Sequence, residues 1–235
     1  MTVSARPAAP VLAAEALSGV AGALADRSRA AICLALLDGR AWTAGELARH
    51  ARIAPSTASE HLTLLVDAGL LAEERQGRHR YLRLAGQRVA ELVEDLAALS
   101  PAPARPSSLR AVRAAGDLAQ ARTCYDHLAG TLGVAVYDGL VARGLLDTAA
   151  GLALTPDGRD WFGDALARVP TSGRPLLRTC LDWTERRHHL GGALAAAWCT
   201  QLLDRGWLVR GAHPRAVRLT VDGAAGLADL LEAAT

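Results

Sequence analysis

Cys124 and His127 stand three residues apart with Asp126 between them, and the same residue types recur at Cys180, Asp182, His188 and His189. On a helix that spacing puts Cys124 and His127 on one face. A thiolate and an imidazole presented together are ligands for a soft metal ion or partners for a thiol-reactive small molecule. A carboxylate such as Asp126 or Asp182 can orient the histidine. The sets lie in twin strings. Arg122-Thr123-Cys124-Tyr125-Asp126 matches Arg178-Thr179-Cys180-Leu181-Asp182, and His127-Leu128-Ala129-Gly130 matches His189-Leu190-Gly191-Gly192 after a short insertion. If the two copies pack with pseudo-twofold symmetry, Cys124, His127, Cys180 and His189 converge. Arg122 and Arg178 beside the thiols would lower their pKa values. Trp183, Trp198 and Trp207 crowd the second copy and can line an effector pocket. The packed-core alternative stays open for each of these residues, because free cysteine is among the most buried residue types and tryptophan fills cores. Cys33 and Cys199 lie in apolar helical runs and read as core, and Arg186-Arg187-His188-His189 also fits a solvated face.

A second polar set lies near the N-terminus. From Pro55 to Leu70, Leu62, Leu65, Val66 and Leu70 form one apolar stripe, and the other side carries Ser56, Thr57, Ser59, Glu60, His61 and Thr63. Short polar groups on an exposed helix face suit base edges and phosphates. A hairpin-like segment then adds Arg75, Arg78, His79, Arg80 and Arg83, and no acid occurs from 75 to 83. That makes a local cationic tip although the first hundred residues balance eleven arginines against eleven acids.

The elements that must position these groups are mainly helical. Residues 8–50 read as helices, with Asp26 or Ser28 as a cap and Gly39 as a stop. Thr43-Ala44-Gly45-Glu46 has the spacing of a capping box, and Thr43 also joins the candidate DNA-contact set. Pro55 fits the first position of the next helix. Leu70–Glu74 and His79–Leu84 around Gly77 read as a two-stranded wing, and Gln87–Leu99 returns to helical spacing. Pro101, Pro103 and Pro106 mark a linker at 100–108. A helix, glycine and strand pattern then recurs: Leu65-Val66-Asp67-Ala68-Gly69-Leu70-Leu71 resembles Leu140-Val141-Ala142-Arg143-Gly144-Leu145-Leu146 and Leu203-Asp204-Arg205-Gly206-Trp207-Leu208. Each is followed by a strand-like return to Gly86, Gly158 or Gly223.

Composition bounds the alternatives. The 235 residues are 51% hydrophobic and 21% charged, which argues against wholesale disorder and for one large or two small domains. All 26 cations are arginine and the formal net charge is +2, which excludes a polybasic coat protein. No apolar run reaches the ~18 residues of a membrane span and no clear signal segment opens the chain, so a cytoplasmic protein without membrane association is expected. Four cysteines are too few for a disulfide scaffold. There is no G-x-S-x-G elbow, P-loop, H-E-x-x-H helix or dinucleotide-binding glycine string, and an enzyme is not expected.

Four strings carry a family resemblance: Leu24-Ala25-Asp26-Arg27-Ser28-Arg29; Glu46-Leu47-Ala48; Pro55-Ser56-Thr57-Ala58-Ser59-Glu60-His61-Leu62 with Ala68-Gly69-Leu70; and Arg75-x-Gly77-Arg78-x-x-Tyr81. In order and spacing they resemble the ArsR-type winged-helix transcriptional regulators over roughly residues 10–99. The resemblance implies a homodimer on an imperfect palindrome, with Ser56, Thr57, Ser59, His61 and the wing arginines at the DNA. Three departures stand out. Ala54 replaces the usual capping serine, at a cost of about 1 kcal/mol. Glu60 places an acid on the DNA face. The ligand pairs of the family's metal sensors are missing from 44–50 and from Gln87–Leu99.

The expectation is therefore a mainly α protein with small β-wings: a winged helix-turn-helix at 10–99 and, at 109–235, two degenerate winged-helix-like units for effector binding or dimerisation. The expected function is sequence-specific transcriptional regulation, as a repressor whose operator affinity an effector changes. The alternatives are a purely structural C-terminal half with no ligand, or a Cys/His-based enzyme.

Overall fold

A computed structural model describes residues 9–77, 79–99, 108–166, 170 and 174–233. The chain forms two compact units, residues 1–93 and 94–235. The expected linker falls almost wholly outside the described residues, as does Arg78.

The first unit runs α1 (Ala9–Leu24), α2 (Arg27–Ala35), a 3-10 turn, β1 (Trp42–Thr43), α3 (Ala44–Ala51), α4 (Pro55–Asp67), β2 (Leu71–Gln76), β3 (His79–Leu84) and the start of α5 (Gln87–Leu99). Local chemistry sets the helix starts. Asp26 accepts hydrogen bonds from the Ser28 and Arg29 amides at 2.8 and 3.0 Å, and Thr43 and Glu46 cap each other's amides reciprocally. Pro55 opens α4, while Ala54 has cap geometry but no side-chain cap bond. Ala58, Leu62 and Leu65 turn inward from α4, and Ile32, Cys33, Leu36, Leu37, Leu47 and Leu82 are fully buried. Burial of each such leucine or isoleucine contributes about 1.5–3 kcal/mol, more than the missing cap at Ala54 costs. The antiparallel sheet has the order β1-β3-β2, with Leu71 opposite Leu84 and Gln76 opposite His79.

The second unit contains α6 (Leu109–Gln120) and two copies of one motif. Copy one is hairpin β4–β5 (Arg122–Cys124, His127–Ala129), helix α7 (Gly130–Ala142), wing β6–β7 (Leu146–Asp147, Ala153–Leu154) and helix α8 (Pro156–Leu166). Copy two is hairpin β8–β9 (Arg178–Leu181, His188–Gly191), helix α9 (Ala193–Asp204), wing β10–β11 (Leu208–Arg210, Val217–Leu219) and helix α10 (Val221–Gly226), followed by α11 (Ala228–Ala233).

The helix-to-wing joint has the same hydrogen bonds in both copies and in the first unit. Gly69, Gly144 and Gly206 adopt φ of 71°, 66° and 68°, the left-handed conformation that closes a helix in a Schellman motif. The residue after each glycine donates to the carbonyl five positions back: Leu70 to Leu65, Leu145 to Leu140, Trp207 to Leu202. Its own carbonyl accepts from the end of the returning strand, from Ala85, Thr155 and Thr220 respectively. In both C-terminal copies the threonine also caps the next helix, Thr155 accepting from Gly158 and Thr220 from Gly223.

Each C-terminal copy differs from the first unit in what precedes its wing, which is a β-hairpin and one helix. The twin R-T-C strings are thus the first strands of hairpins. This corrects the placement of Cys124 and His127 on one helix face: Cys124 pairs directly with His127 across β4–β5, and Cys180 with His189 across β8–β9. Three-residue strands are too short for alternation to stand out in an Ala/Leu-rich sequence. The unit's apolar core gathers Leu128, Leu132, Leu140, Phe162, Leu190, Leu194, Trp198 and Leu202.

Candidate functional site

Directly paired residues on an antiparallel hairpin project to the same side, so each C-terminal hairpin presents one thiol and one imidazole together. One ligand atom from each of Cys124, His127, Cys180 and His189 lies within 4.8 Å of all the others, and all four residues are buried. The two Sγ atoms are 3.7 Å apart, and the imidazoles stack with centroids 5.1 Å apart. His127 Nε2 and both ring nitrogens of His189 are buried without a hydrogen-bond partner. Gly191 makes room for this arrangement, since a Cβ there would lie 3.3 Å from His127 Nε2.

Equivalent carboxylates stand behind the histidines. Asp126 Oδ1 is 3.2 Å from His127 Nδ1, and Asp182 Oδ2 is 3.7 Å from His189 Nδ1, beyond hydrogen-bond reach. Arg174 fixes Asp126 at 2.7 Å and also donates to the Gly192 carbonyl. Asp182 is fully buried and accepts from Arg122, the Gly130 amide and Thr184. Burial works against the Asp182 carboxylate, but Arg122, Thr184 and the Gly130 amide hold its pKa well below the carboxylate range. The hydrogen bond with Cys124, together with His127 and His189, lowers the Cys180 thiol, and the same bond and burial raise Cys124. For His127, burial opposes the imidazolium, yet Asp126 and Cys180 lift it to about 9. Together these groups bring two sulfurs and two imidazole rings to one buried point.

Three of the residues expected near the effector lie elsewhere. His188 neighbours His189 on β9 and is exposed, because successive strand residues face opposite sides. Trp183 is half-buried over the Arg122 guanidinium, 4.6 Å from its carbon, and packs against that ion pair. Trp198 fills the core against Trp161 and Phe162. Cys33 and Cys199 are core thiols that burial pushes up to about 12.

Sequence reasoning missed Arg174, Arg215 and Glu94. Arg215 donates to the Thr123 carbonyl at 3.1 Å and pairs with the buried Glu94 of α5. Arg178 reaches Asp95 at 3.2 Å, and Arg186 donates to the Ala98 carbonyl. The β8–β9 hairpin therefore holds the last turns of α5 directly, and the β4–β5 hairpin is tied to them through Arg215 of the β10–β11 wing. No local spacing marks these contacts, which join residues 80 to 120 positions apart.

In the first unit α3, a short turn and α4 form a helix-turn-helix followed by the β2–β3 wing. Ser56, Ser59, Glu60 and Thr63 are exposed on α4, and Thr57 is half-buried. His61 is drawn toward the start of α2, with Nδ1 3.3 Å from Arg29 and Nε2 3.5 Å from Asp26. The Thr43 hydroxyl is committed to the Glu46 cap. At the wing Arg75 and His79 are exposed, whereas Arg80 is largely covered. The cationic tip is less naked than its sequence window, because Glu73 on β2 pairs with Arg75 at 2.8 Å and diagonally with Arg80 at 2.7 Å. Among the described residues no helix is long and apolar enough to cross a membrane.

Comparison with known proteins agrees with this layout. A family model described as a helix-turn-helix domain matches residues 24–74. The HTH-type transcriptional regulator YdfF of Bacillus subtilis, itself uncharacterized, is 41% identical over 211 residues, covering 88% of this chain and 93% of its own. The HTH-type transcriptional regulator CmtR of Mycobacterium tuberculosis is 37% identical over 81 residues, 34% of this chain and 68% of its own; its NMR structure, that of a cadmium metal-sensor, aligns at 31% identity over 38% of this chain and 99% of its own with a TM-score of 0.29. The homodimeric winged helix-turn-helix domain of Mb0332 from Mycobacterium bovis, a possible ArsR-family regulator, aligns at 26% identity over 40% of this chain and 86% of its own, with a TM-score of 0.37. With the helix-turn-helix, the wing and a relative matched along nearly its whole length, the chain belongs to the ArsR-type helix-turn-helix family and is a DNA-binding transcriptional regulator.

Proposed function

We propose that this regulator binds an imperfect palindrome as a homodimer, through the exposed face of α4 and the wing, and that an effector held by the C-terminal hairpins changes its operator affinity. The observation that carries the reading is the convergence of Cys124, His127, Cys180 and His189 from two separate hairpins onto one buried point. An effector bound there ties the hairpins together. The β8–β9 hairpin already grips the end of α5, through Arg178 to Asp95 and Arg186 to the Ala98 carbonyl, and the β4–β5 hairpin is linked to it by Arg215 of the β10–β11 wing, which donates to the Thr123 carbonyl and pairs with Glu94. Because α5 is one continuous helix from Gln87 to Leu99, a shift at its end moves the segment that follows the wing. Operator affinity changes only by the difference in effector affinity between the DNA-competent and DNA-incompetent arrangements. Relief of repression is the sign the family resemblance favours. CmtR is a cadmium sensor, but its match spans about a third of this chain, so the effector site here rests on this chain's own residues.

The test is fluorescence anisotropy of the reduced full-length protein on DNA from upstream of its own gene, near physiological salt, against a scrambled competitor. Selective binding is expected. Cys124→Ser and Cys180→Ser should bind the operator like the parent and lose the response to metals and thiol reagents. If both variants respond as the parent does, the effector does not act at this cluster.

A further inference from the structure

The proposed function leaves the effector's chemistry open between a soft cation and a thiol reagent. We infer that the cluster is a closed four-coordinate centre for a divalent, thiophilic cation of the zinc class, with Cys124, His127, Cys180 and His189 as its ligands. This deepens the proposed function and rests on its placing the effector between the hairpins.

Three features point to a cation. The first is the donor set: two sulfurs and two imidazoles are what zinc-like ions with tetrahedral preference take, whereas magnesium and calcium ask for six to eight oxygens. The second is spacing. Two metal–sulfur bonds of about 2.3 Å at the tetrahedral angle put the sulfurs about 3.8 Å apart. The observed separation is 3.7 Å. All four ligand atoms already lie within 4.8 Å of one another, so a metal closes the remaining gaps without rebuilding either hairpin. The third is the unmet bonding of the histidines. His127 Nε2 and His189 Nε2 are buried with no partner, although buried polar groups are almost always paired. Asp126 holds Nδ1 on the far side of His127, so that a metal displacing the proton on Nε2 completes the carboxylate–histidine–metal relay that recurs in such centres. Asp182 stands ready to do the same for His189.

Burial argues against the thiol reagent. Cys124 is 2% and Cys180 4% exposed, while electrophiles select thiolates that solvent reaches. Burial also decides the kind of metal site. With four protein ligands and no open position the centre is structural or regulatory, since catalytic zinc keeps a place for water. Two thiolates neutralise a divalent charge, which suits an enclosed position, and the protons still held by the ligands leave for solvent on binding.

The experiment is an anaerobic titration of the reduced, metal-free full-length protein with cobalt(II), then zinc(II), followed by absorption spectroscopy. One cobalt per chain is expected, with the strong visible bands of four-coordinate cobalt and a near-ultraviolet sulfur-to-cobalt charge-transfer band, both lost as one equivalent of zinc displaces it. Cys180→Ser should diminish the charge-transfer band and weaken binding by about 100-fold or more, because loss of even an outer partner costs about 10-fold to 100-fold. Cys33→Ser and Cys199→Ser should keep the spectrum. Asp126→Asn lies on a half-buried turn and guards against a misfolded ligand variant; it should keep the band shape and bind about 10-fold more weakly. Sub-stoichiometric uptake, a weak six-coordinate spectrum, or a charge-transfer band that survives Cys124→Ser/Cys180→Ser would overturn the centre. Operator binding measured on the same samples separates the two claims. Stoichiometric metal with unchanged operator affinity leaves the centre standing and removes the effector role. Operator binding that responds to thiol reagents in a protein that takes up no metal removes the centre alone.

Discussion

Cys33 and Cys199 differ from Cys124 and Cys180 in their neighbours more than in burial. All four are buried, but apolar surroundings push Cys33 and Cys199 up to about 12, while Cys180 is lowered by Cys124 and the two histidines. The raised pair has a consequence for stability. Above about pH 9 an unfolded chain releases these two protons and the folded one retains them, so the folded state binds more protons and stability falls as pH rises. Each thiol contributes a slope of up to about 1.4 kcal/mol per pH unit between the unfolded value near 9 and the folded value near 12. The chain has no lysine and arginine does not titrate there, while the raised Cys124 thiol and Tyr137 phenol add to the same decline, so the contribution of one thiol is read from its variant. Urea unfolding from pH 8.5 to 10.5 should show this decline, and Cys33→Ala should flatten it even though the lost methylene-sized packing lowers the whole curve. An unchanged slope in Cys33→Ala would mean that the thiol ionises in the folded protein.

At the scale of elements, α4 shows where a local rule was broken and what compensates. Ala54 occupies the N-cap with φ of −64° and ψ of 148°, a conformation that serine adopts readily at a cap, yet it offers no oxygen to the orphan amides of the first turn. Ala54→Ser should therefore stabilise the protein by about 1 kcal/mol, read as a shift of the urea midpoint at unchanged slope. A midpoint that stays put would mean that solvent already satisfies those amides as well as a hydroxyl can. This missing cap was legible in the sequence, as were the Thr43 box and the Gly69 stop, because each is decided by residues within five positions of one another, and the wing was marked by Gly77 between two strand-like runs. The threefold repeat was legible through its left-handed glycine and the next residue's back-bond, which are local chemistry, and in the two C-terminal copies also through the threonine that caps the next helix. The Cys/His hairpins were not. Strands of three or four residues carry no readable alternation, and what makes them strands is pairing across a turn and packing against the helices that follow. Even so, convergence of the four ligands was legible from the twin strings. Their matched positions survive in the register, with Thr123 opposite Leu128 and Thr179 opposite Leu190 beside each ligand pair.

For the whole molecule the decisive quantity is the coupling between metal and operator. The end of α5 is held by an ion pair buried on both sides, Glu94 with Arg215 of the β10–β11 wing, which also donates to the Thr123 carbonyl of the first hairpin, and by the more exposed Asp95 with Arg178 of the second. A buried pair transmits a displacement because breaking it leaves an uncompensated charge, whereas an exposed pair lets go at little cost. If zinc lowers operator affinity by some factor, linkage requires the operator to lower zinc affinity by the same factor, and regulators of this kind work with about 5-fold to 150-fold. The expected result is therefore a closed cycle: zinc affinity measured by competition with a chromophoric chelator should be weaker for the operator-bound protein, by the ratio that anisotropy gives for operator binding with and without zinc. Glu94→Gln keeps the shape of the side chain and removes its charge, so it should shrink both factors together while leaving one zinc per chain. Two factors that differ would mean that a further equilibrium, such as a change of oligomeric state, is linked to one arm of the cycle. Equal factors that Glu94→Gln leaves untouched would move the coupling away from α5 and onto another path from the hairpins.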